Sequence, residues 1–203
     1  MDLNVWLNEF YPKIIRDFGF DIERDRKSAR VMYEIGRDKL LDSSVLHEVI
    51  ENRDTVVIGG AVKEIDLGSL EDHVIITAGK SILKLNIIPD VHVTDMEEDD
   101  EVLVNLERKG CILVLHAHGD NISRVRSLVP KLNRFVATTQ AEPFDKIYNF
   151  GGFTDGDRAA IIAKEFNAKS IKLIGFDFKN ASGLKLKKLM WAKRILEFEG
   201  FNL

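Results

Sequence analysis

The sequence lacks the features by which several classes of protein are recognised. Cys111 is its single cysteine, which excludes an intrachain disulfide framework and a cysteine-based zinc ribbon. No apolar run approaches the roughly 20 residues that a membrane-spanning helix needs. Acidic residues come early, at Asp2 and Glu9, and no basic start leads into an apolar stretch, so no secretion signal is predicted. We therefore expect a soluble, cytoplasmic protein with no membrane partner.

The chain also has no excess of positive charge. Its 29 Lys and Arg residues are outnumbered by 33 Asp and Glu residues, which gives a formal net charge of -4. A globally basic nucleic-acid-binding protein is therefore disfavoured, and we expect no nucleic-acid partner. Hydrophobic residues make up 45% of the 203 residues, which is enough for a core and too much for a disordered chain.

Two patterns divide the chain near residue 52. Before it, apolar residues recur at three- and four-residue spacing, which predicts helices, with the first one kinked or divided at Pro12. After it, short β-branched runs alternate with helical stretches, which is typical of an α/β protein with an open, mostly parallel sheet and helices on both faces. We predict an N-terminal helical segment over 1–52 and an α/β domain over 53–203. The predicted strands are 55–58, 74–77, 91–94, 112–115, 135–138 and 171–174, and the predicted helices are 23–41, 44–51, 81–86, 100–109, 122–128, 157–166 and 184–199.

Acidic, histidine and glycine residues follow most of these strands. Because ligands of open parallel sheets bind outside the carboxyl ends of the strands, we expect these residues to share one edge of the sheet. Carboxylates crowded at one edge need a cation, and oxygen ligands without thiols suit Mg²⁺. Glycine turns that open onto helices offer backbone N–H groups to phosphate. The pattern therefore indicates metal-dependent phosphoryl chemistry.

Several of these residues also have purely structural explanations. One of Asp155 and Asp157 is expected to cap the helix that follows them. Paired glycines are more often tight turns than phosphate cradles. Residues 79–81 read Gly-Lys-Ser, like the end of a P-loop, but Val74 stands where that motif needs a glycine. The glycine spacing of a dinucleotide fingerprint is absent from the sequence as well.

An ordered set of short segments carries a family resemblance. The segments are 57–60, 76–79, PDVHVTD at 89–95, HAHGDN at 116–121, GGFTDGDRA at 151–159 and 174–178. Together they resemble the archaeal 6-hydroxymethyl-7,8-dihydropterin pyrophosphokinases, the MptE-like family, whose catalytic fold is similar to that of thiamine pyrophosphokinase. The likeness covers roughly residues 50–200. It implies that the α/β domain is catalytic and that ATP donates its terminal diphosphate to the hydroxymethyl group of a reduced pterin. It further implies AMP release, Mg²⁺ as the cofactor and a place in tetrahydromethanopterin or folate-type synthesis.

The resemblance also implies roles for individual residues. Asp95 and Glu97 take the place of the two acids at the strand end of thiamine pyrophosphokinase, and Asp155 and Asp157 resemble its acidic pair before the next helix. With the residues at the predicted edge, this gives a full set of expected site residues. We expect metal binding by Asp95, Glu97, Asp120, Asp155 and Asp157; catalysis by Asp95, Asp120 and His118; nucleotide or phosphate binding by Gly59, Gly60, Gly79, Lys80 and Arg158; and substrate binding by Asn121, Phe153 and Asp177.

Three other functions stay open on the sequence. The first is thiamine pyrophosphokinase activity, which a shared fold does not exclude. The second is a metal-dependent phosphohydrolase built around His116 and His118, although two histidines are weak evidence for zinc. The third is a non-enzymatic nucleotide-binding protein that uses the basic helix at 185–194. ATP and a reduced pterin are the expected ligands, and a homodimer is one option for the assembly.

Overall fold

A single open sheet of parallel strands organises the protein. The structure is a computed structural model that describes residues 1–63 and 67–203, without the side chains of Leu67 and Ser69. In this described part seven strands pair in the order β6-β5-β4-β3-β2-β1-β7, and every pairing is parallel. The strands are β1 (Asp54–Ile58), β2 (Val74–Ala78), β3 (Val91–Thr94), β4 (Ile112–Ala117), β5 (Val136–Thr139), β6 (Ile147–Tyr148) and β7 (Ser170–Ile174).

Helices precede the sheet and connect its strands. The α-helices are α1 (Leu3–Val5), α2 (Tyr11–Phe18), α3 (Ile22–Gly36), α4 (Ser44–Ile50), α5 (Asp100–Arg108), α6 (Ile122–Leu128), α7 (Asp155–Glu165) and α8 (Gly183–Phe198). A π-helical turn at Trp6–Phe10 joins α1 to α2, and 3-10 turns lie at Arg37–Lys39, Leu67–Leu70, Gly79–Lys84 and Val129–Lys131. Among the described residues, no helix combines the length and hydrophobicity that crossing a membrane requires.

Both faces of the sheet are buried, which is why its strands read as continuous apolar runs. Alternate residues of β4 enter different cores. Leu113 and Leu115 pack with α3, α5 and α6, whereas Val114 packs with α4 and α7. The predicted fold class, an open parallel α/β sheet with helices on both faces, is confirmed.

The first helices pack against the sheet and against α7 and α8. The predicted division near Pro12 is present, because a π-helical turn ends at Phe10 and α2 begins at Tyr11. Trp6 and Phe10 are buried in a cluster with Ile161 of α7 and with α8. Helix α3 lies on the face of β4 and β5. The division into 1–52 and 53–203 stays a prediction.

Two local predictions are wrong, and one short strand was not predicted. The helix predicted at 81–86 is a 3-10 turn, Gly79–Lys84, that begins directly at the end of β2. The helix predicted to reach residue 41 ends at Gly36, where a Cβ would lie 2.8 Å from the Phe135 ring, and a 3-10 turn follows. Strand β6 has two residues, which is too short to leave a hydrophobic pattern in the sequence.

Candidate active site

The carboxyl edge of the sheet opens into a cleft of about 510 Å³. Segments that follow β1 to β5 line it, as the fold rule predicts. The start of α3, the start of α7 and the first turns of α8 complete its walls. The lining residues with polar side chains include Asp21, Arg24, Asp25, Lys80, Asp95, Glu97, His116, His118, Asp120, Gln140, Thr154, Asp155, Arg158, Lys185 and Lys188.

Asp95 and His118 form a pair at the ends of β3 and β4. The Nε2 atom of His118 lies 3.6 Å from Oδ2 of Asp95, and both side chains are about one-quarter exposed. Burial opposes ionisation of Asp95, but the close approach of His118 and the charges of Arg158 and Lys188 outweigh it and lower the pKa of Asp95. Asp95 is therefore a carboxylate at neutral pH, with an imidazole beside it.

Asp155 faces Asp95 from the first turn of α7. Its Oδ2 atom sits against the backbone of Gly79, where a Cβ would lie only 2.8 Å away, and Gly79 has a positive φ of 50°. Arg158 donates from Nη1 to Asp155 Oδ1 at 3.1 Å. Burial, and then the charge of Asp95, raise the pKa of Asp155 well above its usual value, although Arg158 opposes the shift. Two carboxylates thus crowd one another at a place where a cation would relieve the repulsion.

Asp157 has a different role in the same turn. It is fully buried, and its carboxylate accepts hydrogen bonds from the backbone N–H groups of Phe153 and Thr154, both at 2.7 Å, and from Thr154 Oγ1 at 2.5 Å. Thr154 and Asp157 form the capping box of α7. Asp157 therefore shapes the loop that carries Phe153, while Asp155 lines the cleft.

The remaining acidic candidates lie at the rim. Glu97 pairs with Lys80 at 2.7 Å, and the hydrogen bond that Lys80 donates to this carboxylate raises the pKa of Lys80. Asp120 lies 3.4 Å from Nη2 of Arg24. All four side chains are more than half exposed. They are free to reorient when a ligand enters.

Any Mg²⁺ in this cleft would need oxygen ligands from a bound phosphate group and water in addition to the protein carboxylates. In the described part of the chain, no three His, Cys, Asp or Glu side chains are grouped closely enough to form a metal centre by themselves. Mg²⁺ commonly binds one or two carboxylates together with phosphate oxygens and water. Asp95 and Asp155 could supply the one or two carboxylates of such a site.

Asn121 ties the ends of β3 and β4 together. Its amide nitrogen donates to the carbonyl oxygens of Asp95 at 3.0 Å and His116 at 2.7 Å, and its Oδ1 accepts from the N–H of His118 at 3.0 Å. The side chain is buried, so these bonds are shielded from water. Asn121 was predicted to bind substrate; in the structure its amide group holds Asp95 and His118 in position.

A second buried network lies beneath the Asp95 loop. The Nε2 atom of His92 is 3.6 Å from Oε1 of Glu98, and both side chains have no exposed surface. Thr94 donates to the other oxygen of Glu98 at 2.6 Å. Burial opposes ionisation of Glu98, but the close approach of His92 and the hydrogen bond from Thr94 outweigh it and lower the pKa of Glu98. This network fixes the backbone that carries Asp95 and turns back at Met96, where φ is 69°.

Two of four other predicted site residues line the cleft, and two lie elsewhere. Gly60 and Phe153 line the cleft, and the Phe153 ring packs at a tilt against Phe18 and Phe20. Gly59 instead packs against Gly175, whose carbonyl oxygen would lie 2.8 Å from a Cβ. Asp177 lies in an exposed turn, where N–H groups of Asn180 and Lys179 lower its pKa to about 2.

Sequence reasoning missed the residues that α3 contributes. Asp25 is 2% exposed and accepts hydrogen bonds from Tyr11, Gln140 and the N–H of Gly119. In the sequence it resembles an ordinary acidic residue in the first turn of a helix. One signal could have identified it, because Asp25 stands on the same stripe as the inward residues Ala29 and Met32.

The fold and the cleft together define a class: an open α/β protein whose sheet edge offers carboxylates and cations to a phosphate-bearing ligand. The comparisons with known proteins are more specific. A family model described as "6-hydroxymethylpterin diphosphokinase MptE-like" matches residues 62–183. The 6-hydroxymethyl-7,8-dihydropterin pyrophosphokinase of Methanocaldococcus jannaschii is 34% identical over 98% of this chain and 95% of that protein. Proteins of the same name are 36% identical in Pyrococcus furiosus, over 93% and 90%, and 33% identical in Methanothermobacter thermautotrophicus, over 88% and 79%.

The chain therefore belongs to the 6-hydroxymethylpterin diphosphokinase MptE-like family, and the resemblance found in the sequence is confirmed. A solved structure of the MAf glycosyltransferase from Magnetospirillum magneticum shares the fold, with a TM-score of 0.50 and 19% identity. The match covers 80% of this chain, which spans 28% of that longer chain.

Proposed function

We propose that the protein transfers diphosphate from ATP to the hydroxymethyl group of 6-hydroxymethyl-7,8-dihydropterin, with Mg²⁺, and releases AMP. The observation that carries the proposal is the pairing of Asp95 with Asp155 beside Arg158, at the sheet edge of a chain whose curated relatives bear the name of this activity.

The reaction needs one bond to form and one to break. The hydroxymethyl oxygen attacks the β-phosphorus of ATP, and the bond from that phosphorus to the oxygen bridging to the α-phosphate breaks. AMP leaves with the electron pair of that bond, and the hydroxyl proton passes to the protein. Positioning and charge stabilisation provide most of the catalysis in phosphoryl transfer.

The acidic pair would bind the metal, and the basic residues would contact the polyphosphate directly. Asp95 and Asp155 would hold Mg²⁺, which when bound neutralises charge on the phosphate oxygens. Arg158 is 4% exposed and already held by Asp155, so its guanidinium is pre-oriented towards the cleft. Lys80 and Lys188 add mobile positive charge at the opening.

His118 is placed to take the proton. Its Nδ1 atom is loosely engaged, at 3.4 Å from the N–H of Asp120, and its Nε2 atom points to Asp95. Protonation at Nδ1 would give an imidazolium that the Asp95 carboxylate stabilises. His118 thus acts as the acceptor, and Asp95 both orients it and binds the metal.

The function is tested by following products with matched acceptors. The purified protein is mixed with ATP, Mg²⁺ and either 6-hydroxymethyl-7,8-dihydropterin or thiamine. We expect AMP with the pterin and none with thiamine. Formation of ADP, of inorganic phosphate alone, or of AMP with thiamine instead of the pterin would contradict the proposal.

The site is tested by making the same Asp→Asn substitution at one position in the cleft and at one position outside it. Asp95→Asn should lower kcat by about 100-fold or more, because it removes a charge that acts on the metal and on His118. Asp38→Asn, on a side chain that is 92% exposed in the Arg37–Lys39 turn, is the matched control. Turnover of Asp95→Asn close to that of Asp38→Asn at limiting Mg²⁺ would remove Asp95 from the site.

A further inference from the structure

We propose that Asp25, His116 and Gln140 form an acceptor pocket that binds the amino-pyrimidinone edge of the pterin through its N–H groups. The inference rests on the proposed function and names the part of the cleft that recognises the acceptor substrate. All three residues line the cleft and are buried, with at most 5% of their surface exposed, at Gln140.

The hydrogen bonds of His116 determine which of its nitrogens carries a proton. Its Nδ1 atom lies 3.0 Å from Oγ1 of Thr138, the residue opposite it on β5. The Thr138 hydroxyl donates its proton to the carbonyl oxygen of Leu115 at 3.2 Å. With its hydroxyl directed to Leu115, Thr138 accepts from His116, and we assign the imidazole proton to Nδ1 and the lone pair to Nε2 on that basis.

That lone pair has no partner among the described residues. Nε2 of His116 is buried and makes no hydrogen bond there. Burial, and then the charge of Arg158, lower the pKa of His116 well below its usual value, although the nearby side chain of Gln140 opposes the shift, so the ring stays neutral at pH 7. A buried acceptor without a donor is costly, and a ligand N–H that enters the cleft would remove that cost.

Asp25 and Gln140 extend the row of acceptors. Asp25 receives hydrogen bonds from the N–H of Gly119 at 2.6 Å, and from the Tyr11 hydroxyl and Gln140 Nε2, both at 2.7 Å. A carboxylate offers about four lone-pair sites, so Asp25 retains acceptor capacity. The bond from Gln140 Nε2 also orients that amide, because its nitrogen is committed to Asp25 and its oxygen is the acceptor that remains.

The acceptor groups and the basic residues of the cleft favour different ligands. The acceptor pocket would repel phosphate oxygens, whereas Arg158, Lys80 and Lys188 attract them. A pterin carries an amino group and a ring N–H side by side on one edge, which matches a row of acceptors. The pyrimidine of thiamine has ring nitrogens without hydrogen at the corresponding positions, so it would place acceptors against acceptors. Guanine shares the edge of the pterin, and adenine does not.

The pocket is tested by binding and kinetics on His116→Phe. This change keeps a ring of similar size and removes the lone pair. We expect its Kd for 6-hydroxymethylpterin, measured by pterin fluorescence without nucleotide, to rise about tenfold or more, with the KM for ATP within twofold of wild type. His47→Gln, on a half-exposed histidine of α4, is the control and should match wild type in both measurements.

An altered ligand gives a second readout that a folding defect would not mimic. The analogue 6-hydroxymethyl-7,8-dihydrolumazine has a carbonyl in place of the amino group. We expect wild type to prefer the pterin by about tenfold or more in kcat/KM, and His116→Phe and Gln140→Leu to lose most of that preference. A melting temperature recorded for each variant separates loss of fold from loss of recognition.

Each outcome has a definite meaning. An unchanged pterin Kd in folded His116→Phe, an unchanged preference over the lumazine, or a rise confined to the KM for ATP would overturn the pocket. Guanosine that binds wild type more tightly than the pterin would overturn it as well, because the pocket would then hold a nucleobase. Pterin binding that depends on His116, without AMP formation by wild type, would support the pocket and refute the proposed function.

Discussion

Asp155 and Asp157 are two residues apart, yet the structure predicts opposite consequences for the same substitution. Asp157→Asn places an amide N–H where a carboxylate oxygen accepts from Phe153, Thr154 or both. Burial raises the pKa of Asp157 too, but its carboxylate serves three donors, and removing such a buried acceptor costs about 3 kcal/mol, which in a protein of this size lowers the melting temperature by roughly 6–12 °C. We expect the melting temperature of Asp157→Asn to lie below that of wild type by this amount, and its activity to fall in proportion to the fraction of unfolded protein.

Asp155→Asn should leave the fold intact. The pKa of Asp155 is raised in the folded state, so its ionised form destabilises the protein at pH values above the pKa of the unfolded chain. At pH 7 an uncharged asparagine removes that cost, and its Oδ1 atom still accepts from Arg158. We expect a melting temperature equal to or above that of wild type and a kcat about 100-fold or more lower.

Thermal melting monitored by fluorescence and an AMP-release assay test the two variants together. Wild type and Asp38→Asn provide the references for both measurements. The reasoning is refuted if Asp157→Asn melts like wild type, or if Asp155→Asn retains activity while its melting temperature falls.

Three further predictions concern other parts of the site. His116 is neutral in the fold and binds a proton in the unfolded chain below about pH 6.5, so stability should fall by about 1 kcal/mol as the pH drops from 7 to 5.5. Urea unfolding at both pH values should show this loss in wild type and not in His116→Phe; an equal loss in both would contradict it. Gly79→Ala should lower kcat about tenfold in the AMP assay, because its Cβ would lie 2.8 Å from Asp155 Oδ2 at a positive φ; wild-type turnover would count against the contact. Asn121→Ala should lower the melting temperature by roughly 6–12 °C, since four polar groups, the Ser28 hydroxyl among them, lose their partner; melting at the wild-type temperature would show that these bonds do not hold the strand ends.

The sheet was predictable because burial on both faces leaves a direct trace in the sequence. Most residues of β1 to β5 and β7 are β-branched or apolar, although β3 contains His92 and β7 contains Lys172, and parallel connection brings the residues after β3 and β4 to one edge. The rule that ligands bind at the carboxyl ends of parallel strands predicted that Asp95, His118 and Asp155 share one edge, and all three line the cleft. The two-residue β6 has no such trace and was missed.

The direction of each side chain at that edge was harder to predict. Thr154 and Asp157 stand at the spacing of a capping box, so the sequence could have assigned Asp157 to the helix cap. Glu97 could not be placed in this way, because the backbone turns at Met96 with a positive φ and Glu97 then meets Lys80 at the rim.

The acceptor pocket needs tertiary information. Asp25, His116 and Gln140 come from α3, β4 and the segment after β5, and each has an ordinary structural explanation in the sequence. Their common property appears only when α3 is seated over the strand ends. A stripe analysis could have indicated Asp25, but the unpartnered Nε2 atom of His116 depends on its bond to Thr138.

The most direct test of the account follows the β-phosphate of ATP. The protein is incubated with Mg²⁺, 6-hydroxymethyl-7,8-dihydropterin and ATP labelled at the β-phosphorus, and the products are separated. The account predicts that the label leaves with the pterin and that AMP is unlabelled and equimolar with the product. Label recovered in ADP or in free phosphate or diphosphate, with an unmodified pterin, would contradict it.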